Sequence, residues 1–115
     1  MNNSIKLALG IFIFIFIFYI SNNNERIKLK LMSNCNYCNL SYKNLFGLDL
    51  SEFDLIRANM HGANLGDVNL SRSNLTKANL GTSNLVGANL KEANLFDISL
   101  KDADISRANL AEANI

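Results

Sequence analysis

The chain predicts a solenoid, a backbone that turns in short equal steps and stacks its coils around one apolar core. Three observations carry this. First, every fifth residue from Cys35 to the end is leucine or a close substitute. After Cys35 the series runs Leu40, Leu45, Leu50, Leu55, Met60, Leu65, Leu70, Leu75, Leu80, Leu85, Leu90, Leu95, Leu100, Ile105, Leu110 and Ile115, with no break in register. Second, a period of five suits no ordinary element. On a helix five residues sweep about 500°, leaving each leucine about 140° off the last. On a straight strand an odd spacing sends successive leucines to opposite faces. All of them share a side only if the chain turns within each repeat. Third, the other positions divide by type. Two before most centres the residue is small, as in Ala58, Ala63, Ala78, Ala88, Ala93, Ala103, Ala108 and Ala113. One before the centre it is Asn or Asp almost throughout, residue types that tolerate turns and bond local backbone. The two residues after the centre vary and hold nearly all the charge.

These residues resemble the pentapeptide-repeat family, whose consensus is Ala-Asp/Asn-Leu followed by two variable residues. Here it stands as Ala78-Asn79-Leu80, Ala88-Asn89-Leu90, Ala93-Asn94-Leu95 and Ala108-Asn109-Leu110. The resemblance covers residues 33–115. It implies an all-β chain: a right-handed quadrilateral parallel β-helix with four pentapeptides per coil and the centre and small residues facing in. About four coils at ~4.8 Å each would stand roughly 20 Å tall. The centres from Leu40 to Ile115 are then the structural core.

The N-terminal third reads differently. Residues 1–21 are a hydrophobic signal peptide or membrane anchor, predicted as a short hydrophobic helix. Leu7 to Ile20 is an unbroken apolar run, including Ile11-Phe12-Ile13-Phe14-Ile15-Phe16-Ile17-Phe18. Its 14 residues have the length of a signal-peptide hydrophobic region and are short for a span of ~20. Cutting after Ser21 would leave Tyr19 three residues back, where a small residue is expected, so cleaved signal and retained anchor both stand. Arg26, Lys28 and Lys30 follow the run and outnumber Lys6 before it, which opposes export of the repeat from an uncleaved segment. Residues 22–32 form a basic linker. Its alternating Arg26-Ile27-Lys28-Leu29-Lys30-Leu31 fits an N-terminal cap, with Ile27, Leu29 and Leu31 over the open edge. It fits equally a segment lying on anionic lipid.

Within the repeat, the implied four-per-coil register stacks each residue over the one twenty positions on. Asn39, Asn59 and Asn79 then form one ladder and Asn74, Asn94 and Asn114 another. Phe53 lies against Ser73 and Ala93, and Ile98 over Ala78, which keeps core volume level. The five glycines (Gly47, Gly62, Gly66, Gly81, Gly87) all fall on variable positions, where a corner needs permissive backbone. Lys43 is the one charged residue on an inward position. Ile115 is itself a core position with no polar cap after it, so we expect a homodimer through the C-terminal coil, a mode the resemblance also implies.

Candidate chemistry is sparse. Cys35-Asn36-Tyr37-Cys38 permits packing residues, a Cys35–Cys38 disulfide in an oxidising compartment, or half a metal or redox site. A second cysteine pair is lacking, and His61, the single histidine, falls on an outward position and reads as solvated surface. No catalytic residue, cofactor or metal site is expected: the acidic residues are scattered, a filled column offers no cleft, and phosphate loops and nucleophile elbows are absent. Ile56 and Phe96 share one outward column, and Phe46 and Val86 another.

Two function classes follow. One is a non-enzymatic scaffold, inner-membrane-anchored or periplasmic/exported, that binds an unidentified protein partner, with the membrane engaged through residues 7–20 and no nucleic acid. The other is a DNA-mimicking topoisomerase (gyrase) binder in the cytoplasm, a role some pentapeptide-repeat proteins fill. A mimic needs a strongly negative face. Residues 33–115 carry seven basic against nine acidic side chains, a balance of −2. Arg57 and Lys77 also stack in one column, so the scaffold ranks first. A thiol role through Cys35 and Cys38 is a third class.

Overall fold

The computed structural model describes residues 33–115. The hydrophobic segment, its expected helix and the basic linker with Ile27, Leu29 and Leu31 lie outside the described residues.

Parallel bridges join residues exactly twenty apart, from Asn34 with Asp54 through Asn64 with Asn84 to Asn94 with Asn114. Every bridge falls on the residue before a centre, so each side of the coil is a single bridged residue rather than an extended strand. Four sides of five residues make one turn. The fold is a right-handed quadrilateral β-helix.

A complete accounting of one pentapeptide shows why five residues suffice. In Asn64–Val68, the Asn64 N–H donates to the Lys43 carbonyl of the previous turn at 2.9 Å. The Leu65 and Asp67 N–H groups donate to Asn84 and Val86 of the next turn at 2.7 and 2.9 Å. The Val68 N–H closes the corner onto the Leu65 carbonyl at 3.2 Å. That leaves the Gly66 N–H, and the Asn64 side-chain oxygen takes it at 3.2 Å. The Asx side chain here serves the one N–H that no backbone carbonyl of a neighbouring turn takes; at Ile56 the Asn36 side chain of the preceding turn does this instead, at 2.8 Å.

The same amides also link the turns. Asn64 donates to Asn44 at 3.0 Å and Asn84 to Asn64 at 3.2 Å. The expected Asn39–Asn59–Asn79 ladder forms at 3.5 and 3.3 Å. In the other expected ladder only the step from Asn114 to Asn94 is made, at 3.1 Å. Asp49 heads its ladder, accepting from Asn69 at 3.0 Å. A carboxylate fits there because it accepts and has no proton to pass on.

Each corner from Tyr37 to Glu112 has positive φ at the second variable residue, the geometry of a type II turn. Thirteen of these residues are not glycine, Arg57 at φ 56° and Lys77 at 59° among them. This corrects one expectation. Gly47, Gly62 and Gly87 do sit at the positive-φ position, but Gly66 and Gly81 occupy the first variable position, where φ is ordinary. They are small for another reason. A Cβ on Gly66 would meet the Phe46 ring at 2.9 Å, and one on Gly81 would meet the His61 ring at 3.1 Å.

The core is the expected pair of inward columns. Centres from Leu40 to Leu95 and small residues from Phe53 to Ala93 are buried, with Phe53 and Val68 fitted among alanines and serines. Ser73 and Ser83 face in and donate their hydroxyls to Leu70 and Leu80 carbonyls, both at 2.7 Å, so neither is left unsatisfied. Lys43 is half-buried. The last turn departs from the expected core: Leu100 and Leu110 are half-buried, Ile105 is 40% exposed and Ile115 80%. Among the described residues no turn follows these centres, which leaves that side of them uncovered.

Candidate interaction surfaces

Cys35 is buried at a centre and Cys38 half-buried at the first small position. A disulfide joins them across the first corner, with Cα atoms 5.2 Å apart. That separation suits the bond without backbone movement. The corner brings them together, since the Cys38 N–H already donates to the Cys35 carbonyl at 3.2 Å.

The corners of the same turn carry large aromatics. Tyr37, Tyr42 and Phe46 are 58%, 74% and 55% exposed. Each leans on the next turn. The Arg57 guanidinium lies 5.9 Å from the Tyr37 ring centre. Tyr42 lies over Gly62, where an added Cβ would come within 2.5 Å of the ring. Phe46 lies over Gly66. Sequence reasoning did not find this aromatic-over-glycine pairing, although each pair is simply twenty residues apart.

His61 departs from the solvated reading. It is half-buried, edge-on to Tyr42 at 5.5 Å between ring centres, with Nε2 3.3 Å from the Thr82 hydroxyl. Another edge holds ion pairs: Arg72 meets Glu52 at 3.3 Å, and Lys91 meets Glu92 at 3.3 Å and Glu112 at 3.8 Å. All are solvent-facing and individually weak. Asp104 is held below the usual carboxylate range, first by the Ser106 hydroxyl, then by the Ser106 N–H at 2.9 Å, and less by Arg107. Among the described residues, no three His, Cys, Asp or Glu gather as metal ligands do, and no helix is long and apolar enough to cross a membrane. Phe96 is exposed on the column it shares with the half-buried Ile56, and Val86 is half-buried on the Phe46 column.

The twenty-residue register and the Ala-Asn-Leu columns agree with a sequence-profile match. The profile for pentapeptide repeats in eight copies covers residues 33–72, 54–91, 63–102 and 83–115. The chain belongs to the pentapeptide-repeat family. Among solved structures it is similar to a pentapeptide-repeat protein from the thylakoid lumen of Arabidopsis thaliana. That match has 25% identity over 71% of this chain and 57% of the other, with a TM-score of 0.69. It is also similar to the pentapeptide-repeat protein Rfr23 of the cyanobacterium Cyanothece, at 34% identity over 70% of this chain and 58% of that one, TM-score 0.39. A third is HetL of Nostoc, a pentapeptide-repeat protein involved in regulating heterocyst differentiation, at 32% identity over 70% and 48%, TM-score 0.46. The chain thus spans about half the length of these pentapeptide-repeat proteins. A comparison with curated proteins returns no match.

Proposed function

We propose that the protein is a non-enzymatic scaffold, held at or exported across a membrane by its N-terminal segment, that presents the walls of its β-helix to a protein partner. The single observation that carries this is the filled core. Both inward columns are packed with Leu and Ala, and the groups with chemical potential stand apart on separate corners. Such a column supplies surface rather than a reaction cleft. The Cys35–Cys38 disulfide supports an oxidising compartment, as does the lumenal location of the Arabidopsis relative. Protease accessibility of a C-terminal tag tests the location. We expect digestion once the outer barrier is removed. Digestion only after lysis would put the repeat in the cytoplasm and sink the export reading.

The last turn supports self-association. Leu100, Ile105, Leu110 and Ile115 present one apolar end, and a second copy meeting it end to end would bury them. Light scattering of the full chain should give twice the monomer mass, reduced to one by Leu110→Asp. A monomeric wild type would end this part of the proposal.

The DNA-mimic reading finds less support. One corner column runs Tyr37, Arg57, Lys77 and Asp97, which interrupts a continuous negative face.

A further inference from the structure

We propose that the first turn of the β-helix is itself a membrane-contact surface, seated in the headgroup region of an anionic bilayer through Tyr37, Tyr42 and Phe46. This rests on the membrane tether proposed above and adds an orientation to it.

Three observations point the same way. The first is where the exposed aromatics fall. Three consecutive corners of the first turn carry them, and along the rest of the walls the one comparable ring is Phe96. Tyrosines with a wet hydroxyl and an apolar ring suit a membrane interface. The second is reach. The apolar run ends at Ile20 and twelve residues separate it from Ser33, so a membrane-held run keeps the first turn within a short tether of the surface. The third is charge along the axis. Residues 1–32 carry Lys6, Arg26, Lys28 and Lys30 against Glu25, a balance of +3. Residues 92–115 carry Lys101 and Arg107 against five acids, a balance of −3. An anionic surface attracts the first end and repels the second. The helix therefore stands off the bilayer with its acidic last turn in water. The first turn itself carries Lys43 against Asp49 and Glu52, so the attraction comes from the basic residues that precede it.

The chain has no tryptophan, so one introduced indole reports its own surroundings. Full-length Tyr42→Trp and Asp102→Trp chains place the indole on the same corner column, three turns or ~14 Å apart. Both are reconstituted into vesicles of phosphatidylcholine and phosphatidylglycerol, some with bromine-labelled acyl chains, and recovered by flotation. We expect both to float. The indole of Tyr42→Trp should shift to the blue and be quenched by the brominated lipid, and that of Asp102→Trp should do neither. Equal, water-like emission from both in floating vesicles overturns the membrane contact and leaves the tether standing. A chain that stays at the bottom of the gradient overturns both. A blue shift at residue 42 without bromine quenching assigns the aromatics to a protein contact, and the proposal fails.

Discussion

Leu90 and Leu110 stand one turn apart in the same column, and each closes an Ala-Asn-Leu triplet. Leu90 is 2% exposed and Leu110 is half-buried. The triplet is identical in both, so the triplet alone does not decide burial. The turn after Leu90 does, and among the described residues no turn follows Leu110. The contrast extends to the backbone. The Leu90 N–H reaches the Asn109 carbonyl at 2.8 Å, whereas among the described residues Leu110 has no following turn to receive its own. In this fold burial and hydrogen bonding belong to the interface between repeats rather than to the repeat.

The largest test of that statement uses those two residues. Leu90→Ala should cost about 2–5 kcal/mol, the range for a leucine truncated in a packed core. Leu110→Ala should cost about 1 kcal/mol or less in a dilute monomer. Urea unfolding measures both, and equal losses would mean that something covers the last turn. Repeating the pair at high protein concentration sharpens the comparison, because end-to-end pairing should raise the Leu110 loss alone.

A smaller contrast lies in the amides. Asn64 serves the Gly66 N–H and both neighbouring turns, whereas Asn114 makes one bond, to Asn94. Asn64→Ala should lower stability by about 1–3 kcal/mol, since it orphans a half-buried N–H. The Asn114→Ala loss should stay within about 0.5 kcal/mol. Hydrogen exchange at the Gly66 amide should quicken in the first variant.

Two glycines separate strain from collision. Gly47 and Gly62 share φ near +65°, but a Cβ at Gly47 meets nothing within 4 Å, whereas one at Gly62 runs into Tyr42. Gly47→Ala should cost about 1 kcal/mol for the left-handed backbone alone. Gly62→Ala should cost somewhat more and displace Tyr42, seen as loss of its ring contact with His61 by NMR.

The smallest effect concerns pH. The Asp104 carboxyl is depressed in the fold, so the stability it lends is fully present above the ordinary value of 3.8. It fades as pH falls from there through the lower folded value. Asp104→Asn should remove that acid-side slope, and thermal melts between neutral and strongly acid pH would show it. An unchanged slope would assign it to other carboxylates.

Much of this was legible beforehand, for a physical reason. Inward positions are dictated by which side of the chain faces the core, and a strict period exposes that directly in the leucine and alanine columns. The Asn position was legible as a turn former, though its role in serving a particular N–H was not. The rest depends on the neighbour twenty residues away. Gly66 and Gly81 looked like corner glycines and instead make room for Phe46 and His61 from the turn above. His61 looked solvated until Tyr42 and Thr82 were placed around it. The corners themselves were obscured because closure of the turn imposes positive φ on Arg57 or Glu92 as readily as on glycine.

The twenty-residue register also makes the length of this molecule a quantised variable. Removing one residue would rotate every following side chain out of place. Removing five would return leucines and alanines to the interior but slide the remainder a quarter turn, so that a deletion between Tyr42 and Gly62 would set Tyr42 over Asp67 and take away its glycine. Only steps of twenty preserve both the interior and the decoration of the walls. A gene encoding such a rod can lengthen it freely by whole turns, while smaller edits rewrite the surface and leave the core intact.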